Sequence, residues 1–334
     1  MTAVRERLEG LVRLEVDGIA CVAYPQLTGP VALADEVLVN EQARSLGLGS
    51  GGFDVLHANL TRGLGLAASP GAHVIKLPYT PVQVAVRHGE EDGPLAESLD
   101  GLPVVCCSLH SQLVPVCAAL AGRRVAYVQL EGGALPVALS DAVRALRERG
   151  LLDLAIGAGA CFGGEVDCVN VWSALALARA RGAEAAVCAV GPGIVGTGTA
   201  VGHGGMAAAL AAFAAASLGG RAVVAPRVSA ADPRDRHRGR SHHTDAVLRA
   251  VPDALVPDDL DRDGWRAACA GLPLSHMGRD ADADPAFFAA AFAAGRTAAS
   301  LLGARFSTFG TQSARPRPPA AATLVLPRGG RGFG

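Results

Sequence analysis

From Leu102 onward, short and near-continuous apolar runs alternate with stretches of helical periodicity. The runs are PVVCCSL, RVAYVQL, DLAIGAG, EAAVCAVG, RAVVAPRVS and DALVPDD. A run without polar alternation belongs in a strand buried on both faces, which is the environment of a parallel sheet covered by helices. Helix candidates fall between the runs, at 112–121, 137–149, 171–181, 205–218 and 245–250, with a last one at 285–301 opened by Pro285. The pattern predicts a Rossmann-like three-layer α/β domain with a mostly parallel sheet over residues 96–302.

The first 95 residues have a different texture. LEGLVRLEVDG, IACVAYP, DEVLVN, FDVLHANL, HVIKLPYT and VQVAVRHGE alternate and are punctuated by Gly, Pro and Asn. They predict a small antiparallel β domain at 1–95, barrel-like because closure removes exposed edges. The acidic EEDGPLAESLDG segment links it to the second domain. Residues 303–334 mix Pro, Gly and Arg without periodicity and are expected to form a disordered tail.

Composition narrows the function classes. Thirty Lys and Arg stand against 31 Asp and Glu, so there is no charge surplus of the kind a specific nucleic-acid binder needs. No apolar run approaches the ~20 residues of a bilayer span, and the charged N-terminus does not read as a signal peptide. Eight cysteines without a CxxC point to buried, reduced thiols. These features suggest a cytoplasmic protein with no membrane partner, and a homodimer is the base-rate assembly. Lys76 is the single lysine among 30 basic residues. It lies in KLPYTPVQ at the end of the β domain, within reach of a phosphate or a carbonyl across a domain interface.

Ligands of open parallel sheets bind beyond the carboxyl ends of the strands. There the sequence places His110 and Ser111, then Glu131-Gly-Gly, then CFGGE ending at Glu165, then GPGIVGTGTAVGHGG, then AADPRDRHRGRSHHTD. The last loop is the richest. Asp232, His237, His242 and His243 are types that ligate zinc, manganese or iron, and Arg236, Arg238 and Arg240 suit phosphate or carboxylate. Adjacent His242 and His243 point opposite ways in an extended loop, so only one of them is expected to join His237. His110, Glu131, Glu165, His242 and His243 are the candidates for proton transfer. Arg279, just before the final helix, is a further anion partner.

GPGIVGTGT contains a literal G-x-G-x-x-G at Gly191, Gly193 and Gly196 after a strand. Glycines continue to Gly205, and the first later acid is Asp232, too far on for a dinucleotide site. The segment reads better as a backbone cradle in which Gly193, Gly196, Thr197, Gly198 and Thr199 hold an anion. His203 could add a ligand or a proton carrier.

At these same residues the sequence resembles an uncharacterised bacterial family known as domain of unknown function 3866. The resemblance runs from about Leu8 to Leu302 through KLPYTPVQ (76–83), LHSQLVP (109–115), EGGALP (131–136), ACFGGEVDCV (160–169), GPGIVGTGT (191–199), RVSAADPRDRHRGRSHHT (227–244) and SHMGRD (275–280). Members more often carry an acid where this chain has Ser108, Thr where it has His276, and Asp where it has Glu131. The resemblance implies kinship and motif positions, and no reaction.

Together these features lead to an expected enzyme of the hydrolase or transferase class. It would bind a small anionic or phosphorylated molecule, with a divalent metal (Zn, Mn or Fe) as the candidate cofactor. The alternatives are a non-catalytic sensor or assembly module for a nucleotide-like ligand and, more weakly, a dinucleotide-dependent oxidoreductase.

Overall fold

A computed structural model describes residues 1–47, 52–64, 66, 69–260 and 264–303. The expected tail at 303–334 lies outside them, apart from Gly303 at the end of the last helix. Five strands form the N-terminal sheet: β1 (Ala3–Leu8), β2 (Leu11–Val16), β3 (Ile19–Ala23), β4 (Val37–Asn40) and β5 (Asp54–Asn59), in the order β1-β2-β3-β5-β4. Short helices α1 (Pro25–Thr28) and α2 (Gln42–Ser45) decorate its connections. The expectation of an antiparallel barrel needs correction here. β3 and β5 pair in parallel because the chain runs through β4 before returning beside β3, and β1 and β4 remain as two edges. A separate hairpin, β6 (Val74–Lys76) and β7 (Val84–Val86), follows.

The second half is built on six parallel strands: β8 (Pro103–Cys107), β9 (Val125–Leu130), β10 (Leu154–Ala158), β11 (Val166–Cys168), β12 (Ala185–Val190) and β13 (Arg221–Ala225). Their order is β11-β10-β9-β12-β8-β13. The sheet is wholly parallel, as the apolar runs require. The order departs from the Rossmann arrangement, because β12 lies between β8 and β9. Two-residue alternation divides each strand between two cores. In β12, Ala186, Cys188 and Val190 face one, while Ala185, Val187 and Ala189 face the other. Helices α5 (Val171–Ala180) and α6 (Ala207–Ser217) cover the first face. The second face is covered by α3 (Leu113–Ala119), α4 (Asp141–Glu148) and α9 (Pro285–Gly303).

Caps define where these helices begin. Ser140 Oγ accepts from Val143 N at α4, and Asn170 Oδ1 accepts from Ser173 N at α5. Beyond β13 the chain forms a two-residue ladder of β14 (Val228–Ser229) with β15 (Gly239–Arg240), then α7 (His242–Ala250) and α8 (Trp265–Ala268). The DALVPDD run makes only a bridge, from Leu255 to Val223. By length and composition α9 could cross a membrane, which the shorter apolar run read from the sequence did not indicate. More than half of that span is buried in the fold, with Phe287, Ala291 and Ala294 fully covered.

At the carboxyl edge, the loops after β9 and β12 press backbone against backbone. A Cβ on Gly191 would overlap the Ala134 carbonyl oxygen, and one on Gly133 would overlap the Gly191 carbonyl. Gly198 has open space around its Cβ position. We expect Gly191→Ala to cost about 2–4 kcal/mol in denaturant unfolding and Gly198→Ala to stay within about 0.5 kcal/mol.

Candidate functional site

The chain moves away from β8 in one direction through β9, β10 and β11, and returns across it from β12 to β13. Such a reversal opens a crevice at the strand ends. The loops after β8, β12 and β13 converge there, and the last two bring four histidines together. His242 and His243 open α7, where Ser241 Oγ accepts the His243 amide at 3.2 Å. His203 ends the loop after β12 and stacks on His243, with ring centroids 3.6 Å apart and planes 14° from parallel. His237 lies 4.8 Å from His242 and 4.9 Å from His243 by ring centroid, and its Nδ1 meets Ser241 Oγ at 2.7 Å. One ring nitrogen from each of His203, His242 and His243 falls within 4.8 Å of the other two. Both adjacent histidines thus face the cluster, contrary to expectation, because the first turn of a helix places them on neighbouring sides of one end.

A buried ionic network backs this cluster. Arg227, 2% exposed, donates to Asp232 at 3.1 Å and to His243 Nδ1 at 3.4 Å. Asp232 also accepts from Arg234 at 2.8 and 2.9 Å, and Arg279 reaches it at 3.5 Å. Arg279 continues to Asp284 at 3.2 Å, which takes a 2.6 Å bond from Ser229 Oγ. Burial alone would raise the Asp232 carboxyl, but the bonds and charge of Arg234 and the charge of Arg227 hold it well below the usual carboxylate range. Both Asp232 oxygens are engaged by arginines and the residue stands outside the group of His203, His242 and His243, so its place here is that of an arginine clamp.

All four imidazoles are shifted down, towards the neutral form. Burial, then the charges of Arg227 and Arg234, lower His237 to about 3. Burial, then His203 and Arg227, lower His243 to about 2. His203 and His242 are lowered too, mainly by burial. Ser108 Oγ, His203 Nδ1, Arg227 Nε, His242 Nε2, His276 Nε2 and Asp284 Oδ1 are buried without hydrogen-bond partners. Almost all such orphans among the described residues belong to this one region. Buried polar atoms are rarely left so, and a concentration of them marks a place for water, an ion or a ligand.

The remaining sequence candidates separate. Arg238 pairs with Asp235 at 3.1 Å and Arg240 with Asp245 at 2.8 Å, whereas exposed Arg236 has no ion pair among the described residues. The glycine loop is a narrow arm, closed by the Gly196–His203 bridge and by Thr197 N to Gly202 O at 2.8 Å. The Thr199 amide is spent on Thr197 Oγ1 and the Thr197 amide on Gly202 O, so two of the amides expected to line a cradle are used within the loop itself. No helix opens inside Gly191–Gly196; α6 begins at Ala207. The dinucleotide fingerprint therefore lacks its helix.

His110 is tied to Ser140 Oγ at 2.7 Å and Val190 O at 3.2 Å, and it braces the α4 cap. Glu131 accepts from Ala160 N at 2.7 Å and holds the loop after β10. Glu165 lies at the opposite edge of the sheet. The chain folds straight back from β10 to β11, so Glu165 pairs with Arg147 and accepts from Ala155 N.

Lys76 is 2% exposed and donates to Gly157 O at 3.2 Å, Gly159 O at 2.6 Å and Cys168 O at 2.8 Å. All its donors are used on carbonyls, so it pins the β10–β11 turn and is not free for a phosphate. A surface groove of about 390 Å³ lies apart from the histidines, walled by α6, the start of β13 and residues 250–255. Its lining is largely apolar, with five alanines beside Phe213, Val251 and Leu255, and Arg221 and Asp253 are its charged members.

Sequence reasoning missed Arg227, Ser108, His276 and Asp284 as parts of this region. The available signal for Arg227 was a charge inside the apolar run RAVVAPRVS.

Two outcomes follow. Lys76→Met takes a donor from three carbonyls and should cost about 3–5 kcal/mol in unfolding experiments. His110, which burial lowers to about 4, should make stability fall with acid. Below about pH 6.5 the unfolded imidazole binds a proton that the folded one refuses, so stability is complete above 6.5 and drains towards pH 4. Denaturant midpoints measured across that window should fall less steeply in His110→Gln.

No curated protein and no solved structure matches the chain. The model of the family described as a protein of unknown function (DUF3866) matches residues 20–260, a span that holds the sheet and the histidine cluster, and the chain belongs to that family.

Proposed function

We propose that the chain is a metal-assisted hydrolase or transferase acting on a small anionic, in the simplest case phosphorylated, substrate at the carboxyl edge of its parallel sheet. The observation that carries this reading is the His203, His242 and His243 group, with two buried ring nitrogens unpartnered. Neutral imidazole is the form that binds a transition metal. Nitrogens on one ion at ~2.1 Å each are at most ~4.2 Å apart, and the nitrogens of this group lie within 4.8 Å of one another, so a pair drawn from it is within reach of one ion after a small side-chain rotation.

An imidazole set without a carboxylate favours zinc over manganese or iron. Bound there, the ion would polarise an oxygen or activate water. Arg236, uncommitted and close enough to His242 to depress its protonation, supplies charge for the substrate anion. Arg279 and Arg227 are held by Asp232 and keep the floor of the site positive. Convergence of ionisable groups on one buried region supports catalysis over a sensor module, which requires a pocket but not this chemistry.

Elemental analysis of protein purified without a metal-chelating tag tests the metal. We expect about one equivalent of zinc, lost in His203→Ala and His242→Ala and kept in Arg238→Ala. A thermal-shift screen of phosphorylated metabolites, with and without divalent metals, tests the substrate class. Zinc-free wild-type protein together with no stabilising anion would defeat the proposal.

A further inference from the structure

We infer that Arg227 locks His243 as the Nε2–H tautomer, so that His243 is a hydrogen-bond donor to a ligand oxyanion while His203 and His242 are the pair that faces the metal. This rests on the functional reading above and divides its histidines between two roles.

The argument begins with donors. A guanidinium has no acceptor, so the 3.4 Å contact from Arg227 Nη1 makes His243 Nδ1 the accepting nitrogen and leaves the proton on Nε2. Arg227 cannot turn away easily. Its other arm is bonded to Asp232, its backbone amide donates to Thr244 Oγ1 at 2.8 Å, and its side chain is buried. The same logic applied to His203 gives a different result. Its Nε2 lies 3.2 Å from the Ala200 carbonyl, which only accepts, so Nε2 carries the proton and Nδ1 is a bare lone pair, buried and unpartnered. His242 Nε2 is likewise buried and unpartnered.

Ring orientation separates the roles further. Imidazole lone pairs lie in the ring plane. The His203 and His243 planes are nearly parallel and 3.6 Å apart by centroid, so a single ion cannot lie on both lone-pair axes. His242 stands at 80° to His203, with centroids 5.6 Å apart, and two rings in that relation can converge on one centre.

A neutral imidazole held at a helix start, with its N–H directed at a developing oxyanion, stabilises that charge without giving up its proton. The ligand class is therefore a molecule with an oxyanion that can lie between the metal-facing pair and His243, such as a phosphoryl or carboxylate group.

The test uses the whole, chelator-treated protein labelled with ¹⁵N in histidine. Nitrogen NMR should give His243 as a single Nε2–H tautomer, and Arg227→Met should convert it to a mixture while His203 stays as Nε2–H. Zinc should then move the His203 Nδ1 and His242 signals and leave His243 Nδ1 unligated. Millimolar inorganic phosphate should shift the His243 Nε2–H proton.

An Nδ1–H or mixed tautomer at His243 in the wild type overturns the inference, as does zinc on a His243 nitrogen or an Nε2–H proton indifferent to phosphate. Absence of any zinc effect overturns the metal pair and the metal half of the proposed function. The metal-free spectrum decides the Arg227 lock by itself.

Discussion

Burial of the six-stranded sheet on both faces is the constraint on which the rest of the molecule depends. Every side chain of β8, β9 and β12 is buried, none is charged, and apart from thiols the polar groups among them are the Tyr127 hydroxyl and the Gln129 amide. Polar chemistry is thereby confined to the strand ends, where loops can still be solvated or can satisfy one another. The strand order then decides which loops meet. Because β12 and β13 flank β8, their loops face each other across it, and His203 reaches His242 and His243 although some forty residues separate them in the chain.

The second organising element is Asp232. One carboxylate gathers Arg227, Arg234 and Arg279, and through Arg279 it connects to Asp284 before α9 and so to Ser229 in β14. Buried ion pairs contribute little net stability, because desolvation offsets much of the attraction. Their value here is positional: Arg227 is aimed at His243, and the loop between β13 and α7 is fastened to the last helix. Burial first, and then the charge of Arg227, disfavours protonation of His237 and His243 and so favours the form that can bind a metal or donate a hydrogen bond.

Glycine has two separate uses in this fold. At Gly133, Gly191 and Gly204 the absence of a Cβ lets the loops after β9 and β12 touch through their backbones, and that close approach explains Gly191, the first glycine of a pattern that superficially matches a dinucleotide fingerprint. At Gly157 and Gly164 it permits the tight return from β10 to β11, in which a Cβ on Gly164 would come 2.7 Å from the Ala155 carbonyl. Lys76 completes that return by donating to the carbonyls of Gly157 and Gly159 on one side and of Cys168 on the other. The lone lysine thus holds a place where ammonium geometry matters: its three donors diverge from one tetrahedral nitrogen, which a planar guanidinium does not reproduce.

Much of the architecture was legible in local pattern. Apolar runs without alternation require a covered parallel sheet whatever their partners, and the helix between each pair follows from periodicity. The His/Arg loop stood out because three histidines within seven residues are conspicuous in any context. The functional division within it was not legible. Nothing local distinguishes Asp232 as an arginine clamp from Asp232 as a metal ligand, or Glu165 as an edge residue from Glu165 in the site. Strand order, the direction of the β10–β11 return and the stacking of His203 on His243 are set by contacts between distant segments. Sequence by itself determined the layers and placed chemistry at the strand ends, because burial and periodicity are local properties. Tertiary structure alone decided which ends meet and which nitrogen keeps its proton, because these depend on the partners that folding brings within hydrogen-bonding distance.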